Sequence, residues 1–532
     1  LPGLNVPIEL ALGIHTDAGV RNNMDIIGTL GVYTTQHNEG QLSFGKSRLC
    51  SRDFADGMLA QIHKDMTFHL GKWNRRSLYD RNYSESREPQ IPSMILEVLS
   101  HQNYADMLVA HDPYCKFIIA RAIYKHIARY NAIIHKREAP TIQPLPIADI
   151  AAVCDTKEKR ITLSWNPQND PLEPTATPTS YIIYTKQNDK GWDNGTVVNT
   201  NKVNINATPG VLYHFKVAAL NEGGCSMKSE EVCARVPFNK NSVPVMIVNG
   251  FERMAAAQAV DTDTARCFDM KQDPGVAYMQ NTSIYELNGM PVAGNTFDYP
   301  ALHAKDLLLL DEEHNAHNDL AISSCMVSAI KHLDLDQFRM VDLILGAQRL
   351  DGYSHRIYQT FPEYLQKAVT SYLSKGGNIM ISGAYIGEDL RTAEQRDFAY
   401  NTLKYIYCDN IQTDSMIING MGTEFTLTSM PNNKMYHTTR INAIAPTGEA
   451  FTTLLLNENH ISYRTETSLA EDGTETTIQI PQRTIKQAPG AVAYQGRDYR
   501  CITYGFPLEM IENKDTRRAI VNASYQFLCA DR

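Results

Sequence analysis

The chain has no run of about 18 apolar residues, so no segment reads as a bilayer-spanning helix. It has no excess of basic residues: 50 Lys and Arg stand against 59 Asp and Glu, a net charge of −9. That balance gives no electrostatic reason to expect nucleic acid or an anionic membrane as partner. The ten cysteines include no CxxC pair, which argues against a zinc ribbon or a thioredoxin-like redox site. Heptads, long charge runs, low-complexity tracts and a signal-peptide pattern are all missing. Cys225 and Cys233 are near enough in sequence to pair across a hairpin, but sequence leaves that pairing and the redox compartment open.

What is present is a chain of 532 residues, too long for one ordinary core. A length prior gives roughly three domains. Hydrophobic residues are 43% and charged residues 20%, ordinary for a globular protein. The abrupt start at Leu1-Pro2-Gly3 is consistent with a processed or truncated N-terminus.

Three segments follow one another. In residues 1–135, "IELALGIHTDAG", "IIGTLGVYTT" and "SMILEVLS" read as strands. "SRDFADGMLAQIHKDM" and "DPYCKFIIARAIYKHIARYNAII" read as amphipathic helices. Strands alternating with helices predict a sheet covered by helices. Residues 136–147, rich in proline and polar groups, read as a linker. Residues 148–238 carry short alternating strands, "RITLSW", "SYIIYTK" and "LYHFKVAAL", the pattern of a small β-sandwich. In residues 239–532, "VPVMIVNGF", "KDLLLLDEE", "VDLILGAQ" and "GNIMISGAY" read as buried parallel strands. "FPEYLQKAVTSYLSKGG" reads as a helix ended by glycine, and "EFTLTSM" and "AFTTLLLNENHISYR" as added β pieces. This predicts a doubly wound α/β domain with a β addition.

Two residues in the first segment carry chemistry. Glu97 lies inside the apolar run Met94-Ile95-Leu96-Glu97-Val98-Leu99, where an ionised carboxylate is costly unless paired. His15 follows an apolar strand, at the strand end where α/β sheets gather ligands. One imidazole and one carboxylate on neighbouring strands suit a metal-assisted hydrolase.

The wording around them resembles the zinc-dependent N-acetylmuramoyl-L-alanine amidases. "LGIHTDAG" stands where that family has S-x-H-A-D/N-A, which implies His15 as a zinc ligand. "LGVYTT", the helix "SRDFADGMLAQI" and Arg75-Arg76 ahead of a loop match the next blocks in order. "IPSMILEVLSHQNYAD" matches the block whose Glu is catalytic, which implies Glu97 as general base. Arg75, Arg76 and Asp17 fall on the substrate side of that reading. The family's other zinc ligands precede the His15 block, and no Gly-rich loop with a His does so here. The expectation is that a missing N-terminal portion supplies them. Glu9, His37, His63, His69, His101 and His111 are other donors in the segment, and none is assigned as a ligand.

The second segment resembles a fibronectin type III domain, with Trp165, Tyr181, Tyr184, Tyr213, Phe215, Val217, Asn221 and Gly224 in the family pattern. That resemblance implies a spacer or adhesion module. The third is similar to class I glutamine-amidotransferase or flavodoxin-like domains in "GNIMISGAYIGEDL" and "YGFPLEMI". Ala384 or Tyr385 stands where active amidotransferases have a nucleophilic Cys, so glutaminase chemistry is not expected. Ser382 as nucleophile would need a base, and His314, His317 and Asp319 read as a polar loop. The three-part combination resembles exported Bacteroides-type proteins, some labelled xanthan lyase, although no residue pattern supports a lyase.

The resemblance thus implies a multidomain exported cell-wall hydrolase with zinc as cofactor. It would act on peptidoglycan or another envelope glycan, in the periplasm or at the cell surface. The alternatives are a non-catalytic envelope protein with an incomplete amidase fold, and a polysaccharide-acting enzyme.

Overall fold

Four strands and three longer helices make the first domain of this computed structural model. The model describes residues 8–19, 24–254, 257–269, 295–412, 415–428, 438, 440–469 and 475–530. The elements are β1 (Ala11–Asp17), β2 (Thr29–Tyr33), α1 (Leu49–Leu70), β3 (Arg75–Asp80), α2 (Ser84–Arg87), β4 (Ser93–Ser100), α3 (Tyr104–His111) and α4 (Pro113–Ile134). The sheet order is β1-β4-β2-β3. β1 runs parallel to β4, β2 is antiparallel to β4, and β3 is parallel to β2.

Alternation along each strand separates two faces. Met94 and Leu96, joined by Leu99 past the register shift that follows Glu97, pack with Phe54, Met58, Leu59 and Ile62 of α1 and with Ile118, Ile119 and Ala122 of α4. Each such buried side chain stabilises by roughly 1.5–3 kcal/mol. Along β4 from Ile95, the opposite face carries the residues of the site. Arg75-Arg76-Ser77-Leu78, expected to precede a loop, instead opens strand β3, because Leu78 packs against the α1 core.

The second domain comprises β5 (Ala148–Asp155), β6 (Arg160–Asn166), β7 (Ser180–Gln187), β8 (Thr196–Val198), β9 (Lys202–Asn206), β10 (Leu212–Asn221), β11 (Gly224–Cys225) and β12 (Val232–Arg235). Trp165, Tyr213, Phe215 and Val217 lie in its core, as the sequence pattern anticipated. Cys225 pairs in register with Leu220 and Cys233 with His214, well separated along β10, and both are free thiols. No disulfide joins them.

The third domain begins with β13 (Pro244–Asn249), the hairpin β14 (Gln258–Asp261) and β15 (Arg266–Asp269), α5 (Tyr299–Leu308), β16 (Ala321–Met326), β17 (Met340–Gly346) and α6 (Glu363–Ser374). It continues with β18 (Asn378–Gly383), α7 (Ala393–Asp397), β19 (Tyr405–Gln412), β20 (Ser415–Gly420), β21 (Thr423–Thr428), β22 (Arg440–Pro446), β23 (Phe451–Leu469), β24 (Glu475–Gln495), β25 (Arg500–Tyr504) and α8 (Lys514–Cys529). Five parallel strands run in the order β16-β13-β17-β18-β25. Numbered along the domain this is 2-1-3-4-5, one of the common doubly wound orders. α5 and α8 cover one face and α6 the other.

"KDLLLLDEE", expected as a strand, instead begins as the last turns of α5. Ala301, Ala304, Leu307 and Leu308 are buried at helical spacing, and Leu309 ends the helix in the left-handed conformation. A run of four leucines fits a strand or a buried helix equally well, so periodicity could not decide it. The actual second strand, β16, has serines at its centre. Their hydroxyls are buried but bonded: Ser324 accepts from Cys233 N at 2.7 Å and donates to Cys233 O at 2.8 Å, and Ser323 accepts from Cys154 N at 2.9 Å. β16 thereby carries the second domain on its edge.

The first domain is held to the second through α4. Lys125 Nζ lies 2.6 Å from Asp65 and 3.1 Å from Glu173, all three side chains almost fully buried. Arg121 donates to Asp170 at 2.8 Å and to the Gln143 carbonyl at 2.9 Å. A charge buried this way is tolerable only while its partners remain. Lys125→Ala would leave two buried carboxylates without their shared cation. It is expected to lower stability by about 3–5 kcal/mol in urea denaturation, whereas an exposed control, Lys367→Ala, changes it little.

Candidate functional site

The parallel pairing of β1 with β4 sets His15 directly beside Glu97. Leu30 of β2 is the register partner of Glu97 on its other side. Register partners project to the same face, so the imidazole and carboxylate share the open side of the sheet. The register of β1 shifts between His15 and Asp17, and Asp17 still faces the same cleft. That cleft has a volume of about 570 Å³, with His15, Asp17, Leu30, Val32, Ile95 and Glu97 on its floor. Tyr79, Arg81, Tyr83, Ser84 and Glu85 form its far wall.

The electrostatics of the floor are uneven. Burial pushes the Glu97 carboxyl above the usual Glu range; His15 and Arg76 pull it back, and Asp17 adds to the rise. Glu97 Oε2 is shielded from solvent and has no hydrogen-bond partner among the described residues. Asp17 accepts from Arg76 at 2.6 Å. Arg75 is paired with Asp56 of α1 and does not line the cleft. Of the three substrate-side residues read from sequence, Asp17 lines the cleft, Arg76 reaches it through Asp17, and Arg75 turns away.

His15 has a partner that sequence did not single out. Its Nε2–H donates to Glu85 Oε2 of α2 at 2.7 Å. Gly13 makes this possible, because a Cβ there would stand 2.6 Å from the same Glu85 oxygen. The contact spans 70 positions in the chain, and no local spacing signals it. Of the other donors weighed, Glu9 accepts from His135 at 3.0 Å, and His63 donates to the Trp73 carbonyl at 2.8 Å. The Tyr114 hydroxyl is 3.0 Å from His69, His101 meets Thr16 at 3.2 Å, and His111 packs on Phe268. None of these, nor His37, lines the cleft.

A catalytic zinc takes three protein ligands. His15 supplies one donor and Glu85 a second, and no group of three ligating side chains occurs among the described residues. The donors described do not complete a catalytic zinc centre.

The third domain holds two further titratable sites. His303 of α5 donates through Nδ1 to Asp342 at 2.8 Å, with Glu509 3.5 Å from Nε2, all fully buried. Burial alone would lower its pKa, but the Asp342 and Glu509 carboxylates outweigh that and raise it to about 10. Glu252, just beyond β13, is raised to about 7 by burial and by Glu230. It lines a small cleft of about 150 Å³ with Gly250, Gln348 and Thr360. Ser382 Oγ is buried without a hydrogen-bond partner among the described residues, so no base among them is bonded to it. Asp319 is engaged by Arg235 at 3.0 Å and by the Asn239 backbone at 2.9 Å, a structural role. His314 lies 3.7 Å from Asp189.

A family model for the fibronectin type III domain matches residues 145–235. The second domain is a fibronectin type III domain. No curated protein matches the chain. Among solved structures, the FN5 domain of Drosophila Lar is 25% identical over 18% of this chain and 99% of its own, with a TM-score of 0.15. The N-acetylmuramoyl-L-alanine amidase from Clostridium difficile 630 is 15% identical over 24% of this chain, with a TM-score of 0.19. That match spans 59% of the amidase chain. With TM-scores this low, these likenesses establish neither fold nor function. The fibronectin type III domain contributes no residue to the cleft of the first domain. No helix among the described residues is long and apolar enough to cross a membrane.

Two pH effects follow. Glu97 is easier to protonate in the fold than in the unfolded chain, so its ionised form destabilises the fold at pH above its folded pKa. Glu97→Gln is expected to melt higher than the parent at pH 7.5, with the gap closing toward pH 4. His303 has the opposite sign. Its contribution is fully present below about 6.5, the unfolded His value, and is lost as pH rises to about 10. Denaturant midpoints should fall across that window, and His303→Gln should flatten the fall.

Proposed function

We propose that the first domain is a cell-wall hydrolase of the N-acetylmuramoyl-L-alanine amidase type, acting on peptidoglycan at the cell surface or in the periplasm. The observation that carries this reading is the pairing of His15 with Glu97 on the floor of one open cleft. Burial makes the Glu97 carboxyl easier to protonate than an ordinary Glu, which suits a group that takes and returns a proton. Glu97 takes a proton from the water that attacks the amide carbonyl between the muramyl lactyl group and L-Ala. It then returns that proton to the departing amine. His15, oriented by Glu85, borders the same reaction space. Zinc belongs to this proposal as a Lewis acid on His15 that needs ligands beyond those described.

A second reading is favoured by one specific observation: Glu85 occupies His15 Nε2. It is a non-catalytic envelope protein with an incomplete amidase site. We also propose that the third domain is flavodoxin-like and serves binding or scaffolding, supported by its strand order.

Metal analysis and muropeptide cleavage by the parent and Glu97→Gln proteins decide between hydrolase and binding protein. The hydrolase reading expects cleavage that falls by about 10²-fold or more in Glu97→Gln. Equal cleavage by both proteins removes Glu97 from the mechanism. No cleavage by a metal-loaded parent favours the binding protein.

A further inference from the structure

Arg81 and the two tyrosines beside it form one wall of the cleft that Glu97 also lines. Tyr79 is 39% and Tyr83 56% exposed, so both rings offer apolar surface to solvent. The Arg81 guanidinium lies 5.5 Å from the Tyr79 ring centroid. Its neighbouring arginines are all engaged: Arg75 with Asp56, Arg76 with Asp17 and Arg87 with Glu88. Arg81 makes one side-chain hydrogen bond, to the Asp80 carbonyl at 3.2 Å, and no carboxylate pairs with it among the described residues. Its charge is therefore available to a ligand.

The backbone of the wall is tied by hydrogen bonds. The Arg81 N–H donates to the Tyr33 carbonyl at 2.9 Å, and the Thr34 hydroxyl donates to the Arg81 carbonyl at 2.5 Å. The Ser86 hydroxyl donates to the Tyr83 carbonyl at 3.2 Å. Val32 pairs in register with both Tyr79 and Ile95, one row along from Glu97. With strands about 4.8 Å apart and rows about 7 Å apart, Tyr79 stands roughly 12 Å from Glu97. Tyr79 thus rises from the same sheet face as Glu97, and the stretch of face between them is long enough for a sugar ring to lie across it.

We propose that the cleft selects a glycan fragment that bears a carboxylate on its sugar or on an attached peptide, with Arg81 binding the carboxylate and Tyr79 and Tyr83 supporting the sugar ring. A guanidinium fork matches a carboxylate through two parallel hydrogen bonds. A tyrosine presents a flat apolar face with little rotamer freedom to lose. Of the acidic groups lining the cleft, Asp17 is already paired with Arg76 and Glu85 with His15, which leaves Arg81 as the cation open to a ligand carboxylate. The inference rests on reading this cleft as the working site. The carboxylate could come from the peptide stem of a muropeptide or from a uronate of another envelope polysaccharide, and the chemistry at Arg81 is the same.

Binding in the full-length Glu97→Gln protein, measured by calorimetry, tests this apart from turnover. The probes are N-acetylmuramoyl-L-alanyl-D-isoglutamine, its carboxyl-amidated form, a galacturonate trisaccharide and a neutral N-acetylglucosamine trisaccharide. The expected result is at least tenfold preference for one carboxylated probe over its neutral counterpart. Arg81→Gln should abolish that preference, Arg81→Lys should restore part of it, and Tyr79→Ala should weaken all binding. The muropeptide binding best assigns the peptide stem, and the galacturonate binding best assigns a uronate. No binding, equal binding of charged and neutral probes, or a preference surviving in folded Arg81→Gln overturns the inference. Carboxylate-selective binding without cleavage by the parent leaves it standing and rejects only the hydrolase; cleavage without such selectivity does the reverse.

Discussion

The parallel ladder between β1 and β4 is the constraint on which the site depends. It places His15 opposite Glu97 without any direct bond between them. A slip of one residue in that ladder would send the imidazole to the helix-covered face, because side chains alternate with a period of two. The same ladder puts Leu96 against the α1 core while its neighbour Glu97 meets the cleft. Core packing on one face therefore holds the register that the other face uses. This is also why a carboxylate is tolerated in so apolar a strand: it projects away from the core, toward the cleft.

The three domains are joined by polar groups as much as by apolar ones. Lys125 sits between Asp65 and Glu173, and β16 anchors the fibronectin type III domain through two buried serines. Asp112, the cap of α4, also accepts from the His355 backbone at 2.7 Å, tying the first domain to the third. Interfaces built on buried charge have demanding geometry, since an unmatched partner is heavily penalised.

Periodicity made much of the fold legible. The α1 stripe, the alternation in "RITLSW" and the apolar strands of the third domain each contain enough repeats for their period to show. It failed at "KDLLLLDEE", where four leucines carry no period, and it did not single out β16, whose centre is two serines. A serine reads as exposed unless its hydroxyl partner is known, and here the partners are about 91 and 169 positions away.

By itself, the sequence determined the segment types, the fibronectin type III core, and the pairing of interest between one histidine and one glutamate. The segment types follow from local patterning, since burial of one face dictates residue choice along a strand or helix, whereas the fibronectin type III core and the histidine–glutamate pair are what family resemblance implied. Only the tertiary structure decided that Glu85 holds His15, that Arg75 turns away while Arg81 remains open to the cleft, and that Cys225 and Cys233 stay apart. Those are contacts between side chains distant in the chain, and the folding of the sheet alone brings them together.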